Sequence, residues 1–154
     1  MIYFYRTCRM RRLAIGLLIF LTSAFGQACI AANISVVVSG VKNANGKVAI
    51  ALFSAEQGFP KDDSKAVRRV MAPIDGATHS AKAVFADLPP GHYAIAAFHD
   101  DNNTGKLETN FFGIPTKGYG FSNNARPKMR APTFDEARFS LPADQARVAI
   151  ELGY

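Results

Sequence analysis

Between Asn33 and Leu152 the chain is built from short segments in which apolar and polar residues alternate with a period of two, separated by turn residues. That pattern is the signature of half-buried strands. Ile34-Ser35-Val36-Val37-Val38 runs to Gly40, and Asn43-Ala44-Asn45-Gly46 supplies the Asn-Gly pair that favours a hairpin. Lys47 to Phe53 follows, with Val48, Ile50 and Leu52 on one face, so the first two strands are expected to pair antiparallel. Ser54 to Lys65 is polar and broken by Gly58 and Pro60, which predicts a loop before the strand Val67 to Ala72.

Asp75-Gly76 turns the chain toward a strand that ends at Asp87-Leu88-Pro89-Pro90-Gly91, a stop enforced by two prolines and a glycine. Tyr93 to Phe98 is almost continuously apolar and reads as a central strand. Residues 100 to 136 show no sustained period, which predicts a long ordered loop. Such a loop is uncommon in a compact domain unless it is functional or braced by its own contacts. Arg138 to Leu141 and Ala146 to Leu152 close the chain, the latter with Val148, Ile150 and Leu152 on one face. The expected fold is all-β: a single antiparallel Greek-key β-sandwich of about seven strands, transthyretin-like or immunoglobulin-like, with the loop 100–136 over one end.

The N-terminus changes the picture. Arg6, Arg9, Arg11 and Arg12 precede the apolar run Leu13 to Phe25, followed by the small residues Gly26, Ala28, Ala31 and Ala32. This is the layout of a secretory signal peptide, and the run is shorter than the roughly 20 residues a membrane span needs. Residues 1–32 are therefore assigned to a leader, cut after Ala31 or Ala32, and 33–154 to one domain that is periplasmic or secreted. Gly26-Gln27-Ala28 before Cys29 lacks the aliphatic residue of a lipoprotein site, which argues against lipid anchoring. No stable membrane span is expected once the leader is removed.

The net charge of +6 belongs largely to that leader: residues 33–154 hold 14 Lys and Arg against 12 Asp and Glu, about +2. A clustered basic face of the kind nucleic acid requires is absent from the pattern. Cys8 falls in the leader and Cys29 at its border, so the mature chain keeps one cysteine at most, can form no internal disulfide and must fold on its core.

The sharpest chemical signal is His99-Asp100-Asp101-Asn102-Asn103-Thr104-Gly105-Lys106-Leu107-Glu108. Asp100, Asn102 and Thr104 alternate ahead of Gly105, as in the front half of an EF-hand loop, and oxygen donors of this kind favour Ca²⁺. The candidate ligands are Asp100, Asn102, Thr104, the Lys106 carbonyl and Glu108. Counting from Asp100, the twelfth position is Phe111 in place of a bidentate Glu, so Asp135 or Glu136 would have to complete the cage if the fold brings them close. The competing reading is a loop whose Asp and Asn side chains cap their own backbone.

A second candidate surface combines Phe112, Tyr119, Phe121, Asn123 and Asn124, aromatic faces and amides of the sort that bind a carbohydrate, a peptide or an envelope protein. The same aromatics could equally serve as inward anchors of the long loop. His79, His92 and His99 match no metal-ligand spacing. His99 beside Asp100 is the one pairing that suits acid-base work, which gives an alternative reading as an envelope hydrolase using His99 and nearby carboxylates. Ser122 lacks a nucleophile elbow, and there is no phosphate loop.

Phe85 to Ala94 with its Leu88-Pro89-Pro90-Gly91 core, His99 to Gly105, Phe112-Gly113-Ile114-Pro115, Gly118 to Asn124 and Pro132-Thr133-Phe134 together resemble a secreted bacterial family known as domain of unknown function 2141. The resemblance covers essentially all of residues 33–154 and implies no activity. The family loop more typically carries Asn or Asp where this chain has Thr104 and Glu108. The Leu-Pro-Pro-Gly-x-Tyr element also resembles the turn of transthyretin-like and carboxypeptidase-regulatory-like sandwiches, an expectation about fold and not chemistry. The sequence thus points to an exported, non-catalytic binding or structural domain, with calcium as the candidate ion.

Overall fold

The computed structural model describes residues 31–111, 114–128 and 130–154. The leader reading falls almost entirely on residues 1–30, outside the described residues. Among the described residues there are eight strands: β1 (Ala32–Ser39), β2 (Lys47–Phe53), β3 (Arg68–Asp75), β4 (Ser80–Leu88), β5 (Gly91–Asp100), β6 (Tyr119–Phe121), β7 (Phe139–Leu141) and β8 (Gln145–Glu151). Their spatial order is β6-β5-β2-β3-β4-β1-β8, with β7 beside β5. The ends of that path meet, because Tyr119 of β6 bridges Gly153 just past β8, with Tyr119 N donating to the Gly153 carbonyl and Gly153 N to the Tyr119 carbonyl, each at 2.9 Å. The result is a mixed sheet nearly closed into a barrel.

Two expectations are corrected by this order. β1 and β2 do not form a hairpin: β1 pairs with β4 and β8, while β2 pairs with β3 and β5. The Asn45-Gly46 turn instead carries the chain from one side of the barrel to the other. Gly46 (φ 70°) packs so tightly on the end of β5 that a Cβ there would lie 2.0 Å from the Asp100 carbonyl oxygen, so only glycine fits. Second, the sheet is not antiparallel throughout, since β1 and β8 run parallel from Asn33–Gln145 to Ser39–Glu151. The expected strandless loop 100–136 also contains β6, a tight turn at Ser122–Asn124 and the start of a one-turn helix α1 (Phe134–Ala137).

The alternating residues do what their period implies. Ile34, Val36, Val38, Val48, Ile50, Leu52, Ile95 and Ile150 fill the barrel interior, each almost wholly removed from water. Each such side chain stabilises the fold by about 1.5–3 kcal/mol relative to exposure. β2 and β5 break the alternation because they are covered on both faces. Ala51, Phe53, Ala94 and Ala96 point outward into a second, smaller core with Phe121, Phe134 and Ala137, where Phe59 meets Phe53, Phe121 and Phe134 edge to face at 5.3, 6.1 and 6.0 Å. This explains why Tyr93 to Phe98 reads as a continuous apolar run. At the turn before β5 the Tyr93 hydroxyl donates to the Pro89 carbonyl at 2.8 Å, pinning the Pro-Pro-Gly corner.

Candidate functional site

The loop after β5 begins with a buried carboxylate, Asp100, 3 % exposed. Its Oδ1 accepts from Thr104 N at 2.9 Å and faces the Thr104 hydroxyl at 3.2 Å, and its Oδ2 accepts from Gly105 N at 2.7 Å. Asn103 (φ 55°) and Gly105 (φ 72°) adopt left-handed conformations that turn these amides inward. The Thr104 hydroxyl also lies 3.3 Å from the Lys106 carbonyl, and the Arg69 guanidinium donates to the Gly105 carbonyl. Asp100 therefore caps its own loop, a role that Asp favours because its short side chain can reach backbone amides a few residues on.

The other acidic groups are engaged by a lysine. Lys117 Nζ lies 2.8 Å from Asp101 Oδ1 and 3.5 Å from Glu108 Oε2, while Glu108 Oε1 accepts from the Asn102 amide at 2.9 Å. The hydrogen bond from Lys117, and then its charge, hold the Asp101 carboxyl below the usual aspartate range, and the Asp101 hydrogen bond raises the Lys117 ammonium in turn. The structure thus joins Asn102, Glu108, Asp101 and Lys117 in one polar chain and keeps Asp100 apart from it. Asp135 and Glu136 lie elsewhere: Asp135 pairs with Arg138 at 3.4 Å, and Glu136 takes a two-pronged contact from Arg130 at 2.7 Å per arm. Arg130, then the Thr133 backbone amide, push the Glu136 carboxyl from 4.5 down to about 2.

Both Asp100 oxygens receive N–H groups, and the Asp101 and Glu108 carboxylates share an ammonium that a divalent ion would have to displace. Among the described residues no group of three or more His, Cys, Asp or Glu is placed to hold a metal ion.

His99 is 2 % exposed, and both ring nitrogens are occupied. Nε2 faces the Asn45 carbonyl at 2.9 Å, which can only accept, so this nitrogen carries the proton; Nδ1 then accepts from the Tyr154 hydroxyl at 3.2 Å. Tyr154 in turn accepts from Lys42 N at 2.9 Å, and the Lys42 ammonium sits 3.9 Å from the Tyr154 ring centre. The imidazole acts as a clasp between the β1–β2 crossover and the C-terminus. His92 stands apart on the exposed start of β5, 3.3 Å from the Ser140 hydroxyl of β7.

The aromatic and amide group divides. Phe121 is buried in the second core with Tyr119 packed against it at 5.8 Å, whereas Phe112 lies outside the described residues. The Asn123 amide donates to the Arg138 carbonyl at 2.8 Å, and Asn124 Oδ1 accepts from Glu151 N at 2.9 Å. Both residues hold positive φ, 58° and 49°, in the tight turn that joins β6 to the α1 segment. Between them and β6 lies Ser122, fully buried, whose hydroxyl accepts from Ile95 N at 2.8 Å and donates to the Ala137 carbonyl at 2.6 Å.

Ser122, Lys117 and Tyr154 are the organising residues that sequence reasoning passed over. Lys117 carried a usable signal, as the one cation between Lys106 and Arg126 in a stretch that needs its acids neutralised. Ser122 and Tyr154 carried none, because their partners are 27 and 55 residues away. Beside the loop lies one open hollow of about 440 Å³, lined by Lys47, Arg69, Met71, Asn103, Thr104 and Gly105.

Residues 36–149 match the model of a family described as an uncharacterized protein conserved in bacteria, DUF2141. The chain belongs to this family. The match runs from within β1 to within β8, so it spans the whole barrel, the 100–108 loop and the aromatic segment. No curated protein matches the chain.

Proposed function

We propose that this DUF2141 domain is an exported, non-catalytic binding or structural domain of the bacterial envelope, acting by contact with a carbohydrate, a peptide, an envelope protein or the envelope surface itself. One observation carries the reading: the polar side chains that could do chemistry serve the main chain. Asp100, His99, Ser122, Asn123 and Asn124 each bond to a backbone group. A general base must reach its substrate, and His99 has neither a free nitrogen nor an open face.

The Tyr93–Pro89 hydrogen bond supports the finer fold reading, since a tyrosine tying a corner to its own upstream backbone is a device of Greek-key sandwiches. In the 100–108 loop the Lys117 ammonium takes the part that the sequence pattern offered to calcium. Charge neutralisation of Asp101 and Glu108 then comes from within the chain.

Incubation of the purified protein with isolated envelope tests the proposal. The expected result is co-sedimentation without release of soluble fragments. Release of new reducing ends or amino groups that the His99→Gln variant abolishes would replace the proposal with the hydrolase reading. Fractionation of producing cells tests export separately, and retention in the cytoplasm would overturn that part.

A further inference from the structure

On its outer face β2 contributes Lys47, Ala49 and Ala51, because Val48, Ile50 and Leu52 are committed to the interior. In register, Ala49 stands beside Met71 of β3 and Ala51 beside Arg69. Short side chains between longer ones leave a depression, and the 103–105 turn walls it to give the open hollow of about 440 Å³ beside the loop. Its lining holds two cations, Lys47 and Arg69, and no acid.

The acids close to these cations are already engaged. Asp63 lies 3.5 Å from Arg69 Nη1, and both Asp100 oxygens are turned to the Thr104 and Gly105 amides. Lys47 is exposed, and among the described residues its ammonium has no ion pair and no hydrogen bond. The Asn103 side-chain amide is exposed and unpartnered in the same sense. Arg69 is anchored on the Gly105 carbonyl and Asp63, and a guanidinium with five N–H groups keeps further donors for a ligand.

These groups define the ligand. An unpaired ammonium beside an anchored guanidinium calls for a carboxylate or phosphate oxygen. Met71 adds an apolar patch for the C–H face of a ring, the Asn103 amide can both donate to and accept from ring hydroxyls, and the volume is that of a small-molecule site. An extended peptide is less suited, since β2 is paired on both sides, with β3 and β5, and leaves a strand no main-chain partner at the floor. We propose that this hollow is a subsite for an acidic saccharide, with Lys47 and Arg69 on its carboxylate or phosphate, Met71 under the ring and Asn103 on the hydroxyls. The inference rests on the binding reading and names its ligand class.

Titration of the isotope-labelled full domain, followed by NMR, tests it with three sugars: tri-galacturonate, glucosamine phosphate and neutral maltotriose. Saturable shifts are expected at the Asn103, Thr104 and Gly105 amides and the Met71 methyl with an acidic sugar and not with maltotriose. A response to tri-galacturonate alone identifies the anionic group as carboxylate, and one to glucosamine phosphate alone as phosphate. Lys47→Gln should weaken binding about ten-fold, the loss expected of one charge-assisted hydrogen bond. Asn103→Gly, which suits the left-handed backbone there (φ 55°), should weaken it with the loop intact. Both variants should keep the wild-type melting midpoint, because both side chains are exposed. No saturable shift with either acidic sugar, equal binding of maltotriose, of inorganic phosphate alone or of a polyglutamate peptide, or full affinity in Lys47→Gln would each overturn the inference. Failure here with wild-type co-sedimentation on envelope preserved removes only the ligand class, whereas loss of co-sedimentation with saccharide binding preserved removes only the envelope setting.

Discussion

Removing one buried oxygen should expose how the barrel closes. The edge of β5 that faces away from β2 is shared, with Gly91–Tyr93 pairing to β7 and Ala96–Phe98 to β6. Ile95 lies in the gap, and its N–H is taken by the Ser122 hydroxyl at 2.8 Å, which passes its own hydrogen to the Ala137 carbonyl at 2.6 Å. Ser122→Ala leaves a buried donor and a buried acceptor without partners. Each orphan costs about 1–3 kcal/mol, so the variant should lose about 2–6 kcal/mol. For a domain of this size that corresponds to a fall in melting midpoint of roughly 6 to 30 °C. Urea denaturation gives the free energy, and amide exchange gives the location, since the Ile95 amide should lose protection ahead of its β2-paired neighbours. A loss below about 0.5 kcal/mol with Ile95 exchange unchanged would refute the claim that this hydroxyl completes the edge.

Further outcomes are expected. Lys117→Met should loosen the 100–108 loop, while wild-type melting midpoints in millimolar calcium and in chelator should coincide; a midpoint raised by calcium in the wild type would restore the ion reading. Glu136 has a depressed folded pKa, so its contribution is present in full above about 4.5 and lost as pH falls through about 2. The difference in melting midpoint between wild type and Glu136→Gln should accordingly shrink across that window, and a difference constant with pH would contradict the Arg130 pairing. Gly46→Ala forces a left-handed Cβ against the Asp100 carbonyl and should destabilise by more than about 2 kcal/mol, as measured by denaturation.

What the sequence disclosed depended on the range of the interaction. Strand identity is local, and Val48, Ile50 and Leu52, or Val148 and Ile150, announce their buried face through alternation alone. Strand partnership is not local. Asn45-Gly46 has hairpin chemistry, yet its glycine is required for close approach to the end of β5, and the crossover it makes follows from burial of β1 against β4 and β8. β6 was missed because it has three residues, one of them Gly120, whose absent side chain lets the strand lie against β8: a Cβ there would come within 2.7 Å of the Glu151 carbonyl oxygen. In the candidate site, Asp100 and Gly105 were legible as a tight turn. The Lys117 contact and the His99–Tyr154 clasp join distant segments and leave no periodic trace.

The parallel pairing of β1 with β8 joins Asn33 to Gln145 and Ser39 to Glu151, so the two ends of the domain are neighbours in space. A growing chain therefore displays two raw sheet margins until β8 arrives, and any truncation before Gln145 should self-associate through them. Maturation of this domain is in effect a zipper fastened from its final tooth, with a folding rate governed by the slowest loop the topology permits.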